Sequence, residues 1–210
     1  MRQLVIIGAS GHGKVVADIA KKSGYDKIIF LDDNSSLTKC GDYPVAGASN
    51  LADTYDCDVI VAIGNANIRK QIQEKLEKKG HHIPMLVHPD AVIGENVLLG
   101  SGTVVMAGAV INPCSRIGKG CIINTCSSID HDCKIEDYVH VSVGAHLAGN
   151  VNVGEKTWIG IGSVVSNNID ICSDCMIGAG AVVVKNIDES GTYIGVPARK
   201  KYADSDFSEQ

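Results

Sequence analysis

The chain has 210 residues, of which 45% are hydrophobic and only 4% aromatic, and its net charge is −5. This length suits one large domain or two small ones, and the absence of a basic cluster argues against a nucleic-acid partner. No apolar run approaches the roughly 18 residues of a membrane span. The opening MRQLVIIG is typical of a buried strand rather than a secretory signal, so we expect a cytoplasmic protein without membrane insertion.

Residues 1–86 alternate short apolar strands with helical segments. The strands are LVIIG, KIIFLDD and DVIVAIGN, and the helical segments are GKVVADIAKKSG and NIRKQIQEKLEKKG. A strand, a glycine-rich turn, a helix and another strand in succession form the βαβ pattern of a small parallel sheet. The pattern predicts a Rossmann-like α/β domain over residues 1–86.

A glycine-rich loop, GASGHGK at residues 8–14, joins the first strand to the first helix. Backbone N–H groups in this setting bind phosphate, but GxxGxG is neither the dinucleotide pattern GxGxxG nor a P-loop. Asp32 and Asp33 end the second strand and Gly64 ends the third, so all three should reach the same crevice at the carboxyl ends of the strands. We expect a nucleotide site there. Alternatively, the glycines only permit close helix–strand packing and the aspartates form a turn.

His12 is the notable side chain of this loop. An imidazole in a phosphate-type loop can donate a hydrogen bond to a phosphate or to a sugar hydroxyl. The simpler interpretation is a solvated loop histidine.

The second half of the chain has a different period. From Ile93 to Val183 an aliphatic residue recurs at every sixth position without interruption. This hexapeptide period predicts a parallel β-helix with three short strands and about eighteen residues per coil. We expect the β-helix to span residues 87–200, after a junction at His88-Pro89, and a polar tail to follow over residues 201–210.

The fourth residue after each aliphatic position is small or β-branched in nearly every repeat, as a second inward position in a narrow coil requires. Cys121, Cys133 and Cys175 occupy this position, so we interpret them as core residues. Cys172 and Cys175 have the spacing of a zinc-binding pair, but no second pair accompanies them. We therefore expect no metal site.

One stretch of the β-helix, SSIDHDCKIEDYVHVSVG at residues 127–144, lacks the turn glycines of most other repeats. Asp130, His131 and Asp132 stand in a row at the turn, and a local rule broken inside a regular scaffold indicates function. A carboxylate beside an imidazole can orient the ring and stabilise its protonated form. We predict that His131 is a general base. The alternative is an exposed turn histidine among charges.

The repeat length also predicts what surrounds this histidine. One coil further along, the position next to His131 is Gly149, where the missing side chain would leave room for a substrate. His140 falls half a coil away and so on another face. In one chain the two histidines would be apart, whereas in a trimer the faces of neighbouring subunits can bring them together.

The chain resembles a family over nearly all of its length: the hexapeptide-repeat sugar O- and N-acetyltransferases. This family includes UDP-4-amino-sugar N-acetyltransferases of the bacillosamine pathway, GDP-perosamine N-acetyltransferases and sialic-acid O-acetyltransferases. The matching motifs are VIIGASGHGKVVADIA, FLDD, VAIGN, the hexads, SSIDHDCKIEDYVHVSVGAHLAGNV and IGVPARK. The resemblance implies a left-handed parallel β-helix and a homotrimer with active sites between subunits. It also implies acetyl-CoA along the β-helix and a sugar nucleotide on the N-terminal domain.

Residue roles follow from the resemblance by position. His131 matches the general base and Asp132 its acidic partner, which is often glutamate in the bacillosamine enzymes. The positions that match the acetyl-CoA site are His140, Gly149, Ile161, Gly178 and Ala179. The positions that match the nucleotide-sugar pocket are Ser10, Gly11, His12, Asp32, Asp33 and Gly64.

The resemblance implies direct acetyl transfer to the 4-amino group of a nucleotide-linked sugar, with a UDP sugar favoured. O-acetylation of sialic acid or a polysaccharide precursor, and acetylation of a GDP-linked amino sugar, are the alternatives within the family. A non-catalytic nucleotide-sugar-binding scaffold is a third interpretation, and the intact DHD motif argues against it.

Overall fold

A computed structural model describes residues 2–201 of the chain. The N-terminal part contains a small parallel sheet of three strands, β1 (Gln3–Ile7), β2 (Lys27–Leu31) and β5 (Asp58–Val61), in the order β2-β1-β5. Two helices, α1 (Gly11–Lys22) and α2 (Ala66–Lys78), follow the first and third of these strands. A hairpin of β3 (Lys39–Cys40) and β4 (Tyr43–Pro44) and a 3₁₀ helix (Ser49–Thr54) complete this part.

Alternate residues of β1 explain the layering of this domain. Leu4 and Ile6 pack in one cluster with the buried face of α1, whereas Val5 and Ile7 pack with Leu76 of α2 on the other side. Side chains that point alternately to the two faces of a strand require cover on both faces. The predicted Rossmann-like βαβ arrangement is confirmed.

The second part is a parallel β-helix with three faces. We call them the contact face, on which the N-terminal domain packs, the open face and the polar face. The contact face consists of β6 (Leu86–Val87), β9 (Val104–Val105), β12 (Ile122–Ile123), β15 (His140–Val141), β18 (Trp158–Ile159), β21 (Cys175–Ile177) and β23 (Gly191–Ile194), with β24 (Arg199–Lys200) antiparallel at its end. The open face consists of β7 (Val92–Ile93), β10 (Val110–Ile111), β13 (Ser128–Ile129), β16 (His146–Leu147), β19 (Val164–Val165) and β22 (Val182–Val183). The polar face consists of β8 (Leu98–Leu99), β11 (Arg116–Ile117), β14 (Lys134–Ile135), β17 (Asn152–Val153) and β20 (Asp170–Ile171).

Strand pairing confirms the eighteen-residue coil. Ser128 pairs with His146, and His140 pairs with Trp158, each one coil further on. The inward positions are buried in most coils, and Cys121, Cys133 and Cys175 lie in the core as expected. Ile93 is 37% exposed because it belongs to the first coil, whose outer end has no coil beneath it.

The turn from each face to the next uses the left-handed backbone conformation at every sixth residue between Asn96 and Gly180. Glycine supplies it at six of these fifteen positions and residues with a side chain at the other nine, among them Asp132 with φ 60°. Aspartate and asparagine tolerate this conformation better than other residues with a side chain. The β-helix therefore keeps its turn geometry where it exchanges glycine for a carboxylate.

The N-terminal domain packs on the first coils of the contact face of the β-helix. Leu86, Val104, Met106 and Ile122 join the same apolar cluster as the buried side of α1. The first strand of the β-helix begins at Leu86, two residues before the predicted junction. Within residues 2–201 there is no helix both long and apolar enough to span a bilayer. The predicted polar tail lies outside the described residues except for Lys201.

Candidate active site

His131 lies in the turn between the open and polar faces, at the corner that points away from the contact face. Its Nδ1 atom is 2.8 Å from Oδ2 of Asp132, and both side chains are well exposed. Its ring lies directly on Gly149 of the next coil, where an added Cβ atom would be 2.7 Å from Nε2. The predicted stacking of His131 on Gly149 is therefore present.

Neighbouring coils hold this turn in place. Oδ1 of Asp130 accepts hydrogen bonds from the His131 N–H and from Nδ2 of Asn112, both at 2.8 Å. The carbonyl of His131 accepts a hydrogen bond from the N–H of Asn150 at 2.9 Å. Because the backbone and its carboxylate neighbours are fixed on both sides, the exposed ring is attached to a rigid support.

The two carboxylates also set the proton affinity of the ring. The hydrogen bond to Asp132 and, next, the charge of Asp130 raise the pKa of His131 above its ordinary value. With the Nδ1 hydrogen donated to Asp132, Nε2 is left as the proton acceptor in the neutral ring. His131 can therefore act as a base whose conjugate acid is stabilised on the opposite side of the ring.

The N-terminal domain carries a crevice of about 280 Å³ at the carboxyl ends of its strands. Its lining includes Ser10, Asp32, Asp33 and Gly64, four of the six residues predicted for the nucleotide-sugar pocket. Oδ2 of Asp32 accepts a hydrogen bond from the N–H of Ala9 at 2.7 Å, so this carboxylate also shapes the glycine loop.

The glycines of this loop differ in the structural constraint that favours glycine at each position. Gly8 has φ 110°, a conformation that side chains disfavour, and a Cβ atom on Gly13 would lie 2.2 Å from the Gly8 carbonyl oxygen. At Gly11, the first residue of α1, an added Cβ would meet nothing within 4 Å. Packing therefore explains Gly8 and Gly13, whereas Gly11 leaves the helix N-terminus open beside the crevice.

His12 is not among the crevice-lining residues; its side chain is half-buried, and its Nε2 atom is fully buried. Burial, and then the positive charge of Arg69, lower the pKa of His12 to about 4. The same two causes lower the pKa of His140 to about 3, with a further contribution from His12. Both rings are therefore neutral at physiological pH. The simple interpretation of His12 as a solvated loop histidine is wrong.

His140 lies on the contact face, where it is 9% exposed. Its Nε2 is 3.0 Å from Nδ2 of Asn124, and its ring centroid is 4.2 Å from that of Trp158. Neither Nδ1 of His140 nor Nε2 of His12 has a hydrogen-bond partner within residues 2–201, and the buried Oγ of Ser142 has none either. Buried polar atoms without partners are uncommon and point to an unfilled polar site.

Sequence reasoning missed Asn124 and Ser142. The two residues are one coil apart in the eighteen-residue repeat, and each is two positions beyond a contact-face strand residue, Ile122 and His140 respectively. Reading the sequence as stacked coils, rather than as single motifs, would have placed both beside His140. It would not have placed His12 there, because that contact depends on how the two domains pack.

The residues predicted for acetyl-CoA do not form one continuous site in a single chain. Gly149 lies with His131 at the corner between the open and polar faces. Ile161, Gly178 and Ala179 lie in turns at the opposite edge of the open face, where it meets the contact face, and Ile161 is 60% exposed. The open face therefore separates the two groups of residues. Within residues 2–201, no group of three or more potential metal ligands is placed to hold an ion.

Comparisons with known proteins agree with this architecture. The family described as "PglD N-terminal domain" matches residues 3–76. The acetyltransferase domain of PglB from Neisseria gonorrhoeae is 41% identical, with a TM-score of 0.93 over 96% of this chain and 100% of that domain, and it has also been solved with acetyl coenzyme A. A mutant of perosamine N-acetyltransferase from Caulobacter crescentus, in complex with CoA and GDP-perosamine, is 35% identical, with a TM-score of 0.92 over 97% of this chain and 98% of that one.

Among curated proteins, UDP-N-acetylbacillosamine N-acetyltransferase of Bacillus subtilis is 35% identical over 113 residues. That match covers 51% of this chain and 52% of the B. subtilis protein, so it spans about half of each. An α/β domain with a strand-end crevice, joined to a β-helix with a histidine–carboxylate pair, defines a β-helix acyltransferase. The chain belongs to the family of sugar N-acetyltransferases that carry a PglD-type N-terminal domain.

Proposed function

We propose that this chain is an acetyl-CoA-dependent N-acetyltransferase that acts on the 4-amino group of a nucleotide-linked sugar, with a UDP sugar favoured over a GDP sugar. The observation that carries the proposal is the exposed His131–Asp132 pair stacked on Gly149. The relatives support the substrates: one is solved with acetyl coenzyme A, one with CoA and GDP-perosamine, and one is named for a UDP sugar.

The proposed reaction is a direct transfer. The neutral amine attacks the thioester carbonyl, the C–N bond forms, and Nε2 of His131 takes the proton that the nitrogen loses. The C–S bond then breaks and coenzyme A leaves as the thiol after it regains a proton from the imidazolium. Asp132 holds the Nδ1 hydrogen throughout, so the ring keeps one tautomer and its charged form is stabilised. No covalent enzyme intermediate is needed.

The position of His131 supports a site shared between subunits. The N-terminal domain packs on the first coils of the contact face, whereas His131 lies at the corner opposite that face. A sugar held in the crevice of one chain is therefore far from the base of the same chain, and a second copy must supply His131. We propose a homotrimer, the cyclic arrangement in which each chain both gives a base and receives one.

The same arrangement would complete the donor site. The corner with Gly149 from one subunit would meet the corner with Ile161, Gly178 and Ala179 from its neighbour, and acetyl-CoA would lie between them. The open face between these corners presents apolar side chains, including Val92 and Val164, to the surroundings. Exposed apolar side chains on one face of a molecule support an interface there.

The proposed acceptor site is the crevice with Ser10, Asp32, Asp33 and Gly64, together with Gly11 at the open start of α1. His12 and His140, with their buried unpartnered nitrogen atoms, lie outside the lining of this crevice, and we propose that they contact the reacting groups beside it. We place the enzyme in the cytoplasm, in the synthesis of a cell-surface polysaccharide or glycan, because its proposed substrate is nucleotide-activated.

A substrate screen tests the proposal. Acetyl-CoA is incubated with UDP- and GDP-linked 4-amino sugars, with the matching 4-hydroxy sugars and with free sialic acid, while thiol release is followed and products are identified by mass spectrometry. We expect acetylation of the 4-amino sugars, with the UDP sugar preferred. Turnover of the hydroxyl compounds alone would favour O-acetylation. Tight binding of a sugar nucleotide without turnover would favour the scaffold interpretation.

A further inference from the structure

Arg69 of α2 is 1% exposed, and its guanidinium group donates four hydrogen bonds, all to backbone carbonyls. Nη1 donates to the carbonyls of Ile63 at 2.7 Å and Gly64 at 2.8 Å. Nε donates to the carbonyl of Gly120 at 2.7 Å, and Nη2 donates to that of Tyr138 at 2.8 Å. One side chain thus binds two carbonyls in each of the two domains.

The four carbonyls belong to segments that matter for the proposed reaction. Ile63 and Gly64 follow β5 and line the crevice of the N-terminal domain. Gly120 and Tyr138 are turn residues of successive coils, at the corner between the polar and contact faces. Tyr138 belongs to the coil that also carries His131 and His140. Arg69 therefore connects the floor of the crevice to that coil.

Burying an unpaired arginine is energetically unfavourable, which indicates that the hydrogen-bonding geometry of its guanidinium group is needed. No ion pair to Arg69 is present within residues 2–201, and burial lowers its pKa only to about 10, so it remains a cation at neutral pH. Burying an unpaired charge is unfavourable, even where dipoles offset part of the desolvation penalty. Only the planar guanidinium group offers five N–H donors in a fixed fork, enough to reach four carbonyls in two domains at once.

We propose, on the basis of the proposed function, that Arg69 is a positioning residue for acetyl transfer: it fixes the acceptor crevice against the coil that carries His131 and His140. In the trimer, that coil meets the neighbouring crevice, so an error in the domain angle would shift the acceptor relative to both histidines. A displacement of about 1 Å can cost about 10²-fold in rate.

The kinetic test compares acceptors in the full-length protein. Transfer from acetyl-CoA to a nucleotide-linked 4-amino sugar depends on the crevice, whereas transfer to hydroxylamine, a small free nucleophile, does not. We define the acceptor ratio as kcat/KM for the nucleotide-linked amino sugar divided by kcat/KM for hydroxylamine. We expect Arg69→Ala to lower this ratio by about 10- to 100-fold, with the KM for acetyl-CoA unchanged. Arg69→Lys keeps the charge and the aliphatic stem but cannot reach four carbonyls, so we expect a smaller decrease in the same direction.

Gln73 provides a matched control on the same helix. It is also 1% exposed, and its Nε2 donates to the carbonyl of Ser101 at 3.0 Å, which joins α2 to the β-helix without touching the crevice. Gln73→Leu removes a buried hydrogen bond across the same domain boundary. We expect it to lower the melting temperature but to leave the acceptor ratio at the wild-type value.

Hydrogen exchange measured by mass spectrometry decides the role independently of turnover. We expect faster exchange in the segment after β5, residues 62–66, and around Tyr138 in both Arg69 variants, but not in Gln73→Leu. An unchanged acceptor ratio or unchanged exchange in these segments would overturn the proposal, as would an equal loss in Gln73→Leu. If the wild-type protein acetylates hydroxylamine but no nucleotide-linked amine, the proposed function is wrong, and the exchange measurement still decides whether Arg69 fixes the crevice.

Discussion

The ring of His131 lies on Gly149 so closely that a methyl group at residue 149 would be 2.7 Å from both Cε1 and Nε2. Two residues one coil apart thus share the space in which the proposed base meets its substrate. The backbone at Gly149 is outside the left-handed region, so alanine is sterically excluded by His131 and not by its own conformation.

Gly149→Ala should therefore displace the ring without unfolding the coil. We expect turnover to fall by about 10²-fold, with little change in the melting temperature. Gly154→Ala is the contrasting variant, because its Cβ would lie 2.4 Å from the backbone nitrogen of Ser173 and would lower stability instead. Normal turnover in Gly149→Ala would show that the position of the His131 ring is not critical.

His131→Ala removes the proposed base. Because the side chain is 59% exposed, stability should change little, whereas kcat should fall by about 10²–10⁴-fold. Steady-state thiol release and thermal unfolding measure the two quantities. His82→Ala is a suitable control, since His82 is also exposed and hydrogen-bonded to a carboxylate, that of Asp58, in the N-terminal domain. Equal rates for the two variants would refute the assignment.

Asp132→Asn tests the pair through its pH dependence. The base works only when neutral, so kcat/KM falls as pH decreases through the pKa of His131, which Asp132 and Asp130 raise above 6.5. Asparagine accommodates the left-handed turn at residue 132 but removes the charge and the strong acceptor. We expect the acidic limb of the pH profile to move to lower pH, while the plateau rate also falls. If the acidic limb does not move, Asp132 does not set the pKa of the group whose titration controls the rate.

Subunit complementation tests the shared active site. His131→Ala lacks the base. Gly64→Leu should block the crevice, because an added Cβ at Gly64 meets nothing within 4 Å and the side chain would extend into open space. Each variant alone should be nearly inactive. Co-expressed in equal amounts, they should regain about a quarter of wild-type activity, because a site joins an intact base and an intact crevice with probability ½ × ½ in a cyclic trimer. No recovery would place the whole site in one chain.

The buried histidines predict lower stability in acid. The pKa of His12 is lowered to about 4 and that of His140 to about 3, below the ordinary value of 6.5 in the unfolded chain. The unfolded state therefore binds more protons between pH 6.5 and these values, and the free energy of unfolding must fall as pH decreases. Each histidine contributes a slope of about 1.4 kcal/mol per pH unit in this range.

Denaturant unfolding at several pH values measures that slope. His12→Asn and His140→Asn should each make the pH dependence shallower. A histidine whose substitution leaves the dependence unchanged would not be a buried neutral group. NMR titration of the imidazole C–H signals would show directly whether His12 and His140 titrate below His131.

The hexapeptide period determined much of this protein by itself. In a coil of eighteen residues, inward and outward positions follow from counting, so the core and the stacking of His131 on Gly149 could both be predicted. The glycine loop and the strand ends likewise placed Asp32, Asp33 and Gly64 at one crevice, because parallel strands end at the same edge of a sheet. These contacts are set by regular local geometry.

Only the tertiary structure decided how the two domains pack. It turned His12 away from the crevice and toward His140, covered the face on which His140 lies, and buried Arg69 of a helix that the sequence shows only as amphipathic and charged. No period encodes these relationships, because they depend on the angle between two domains whose docking surfaces are far apart in the sequence.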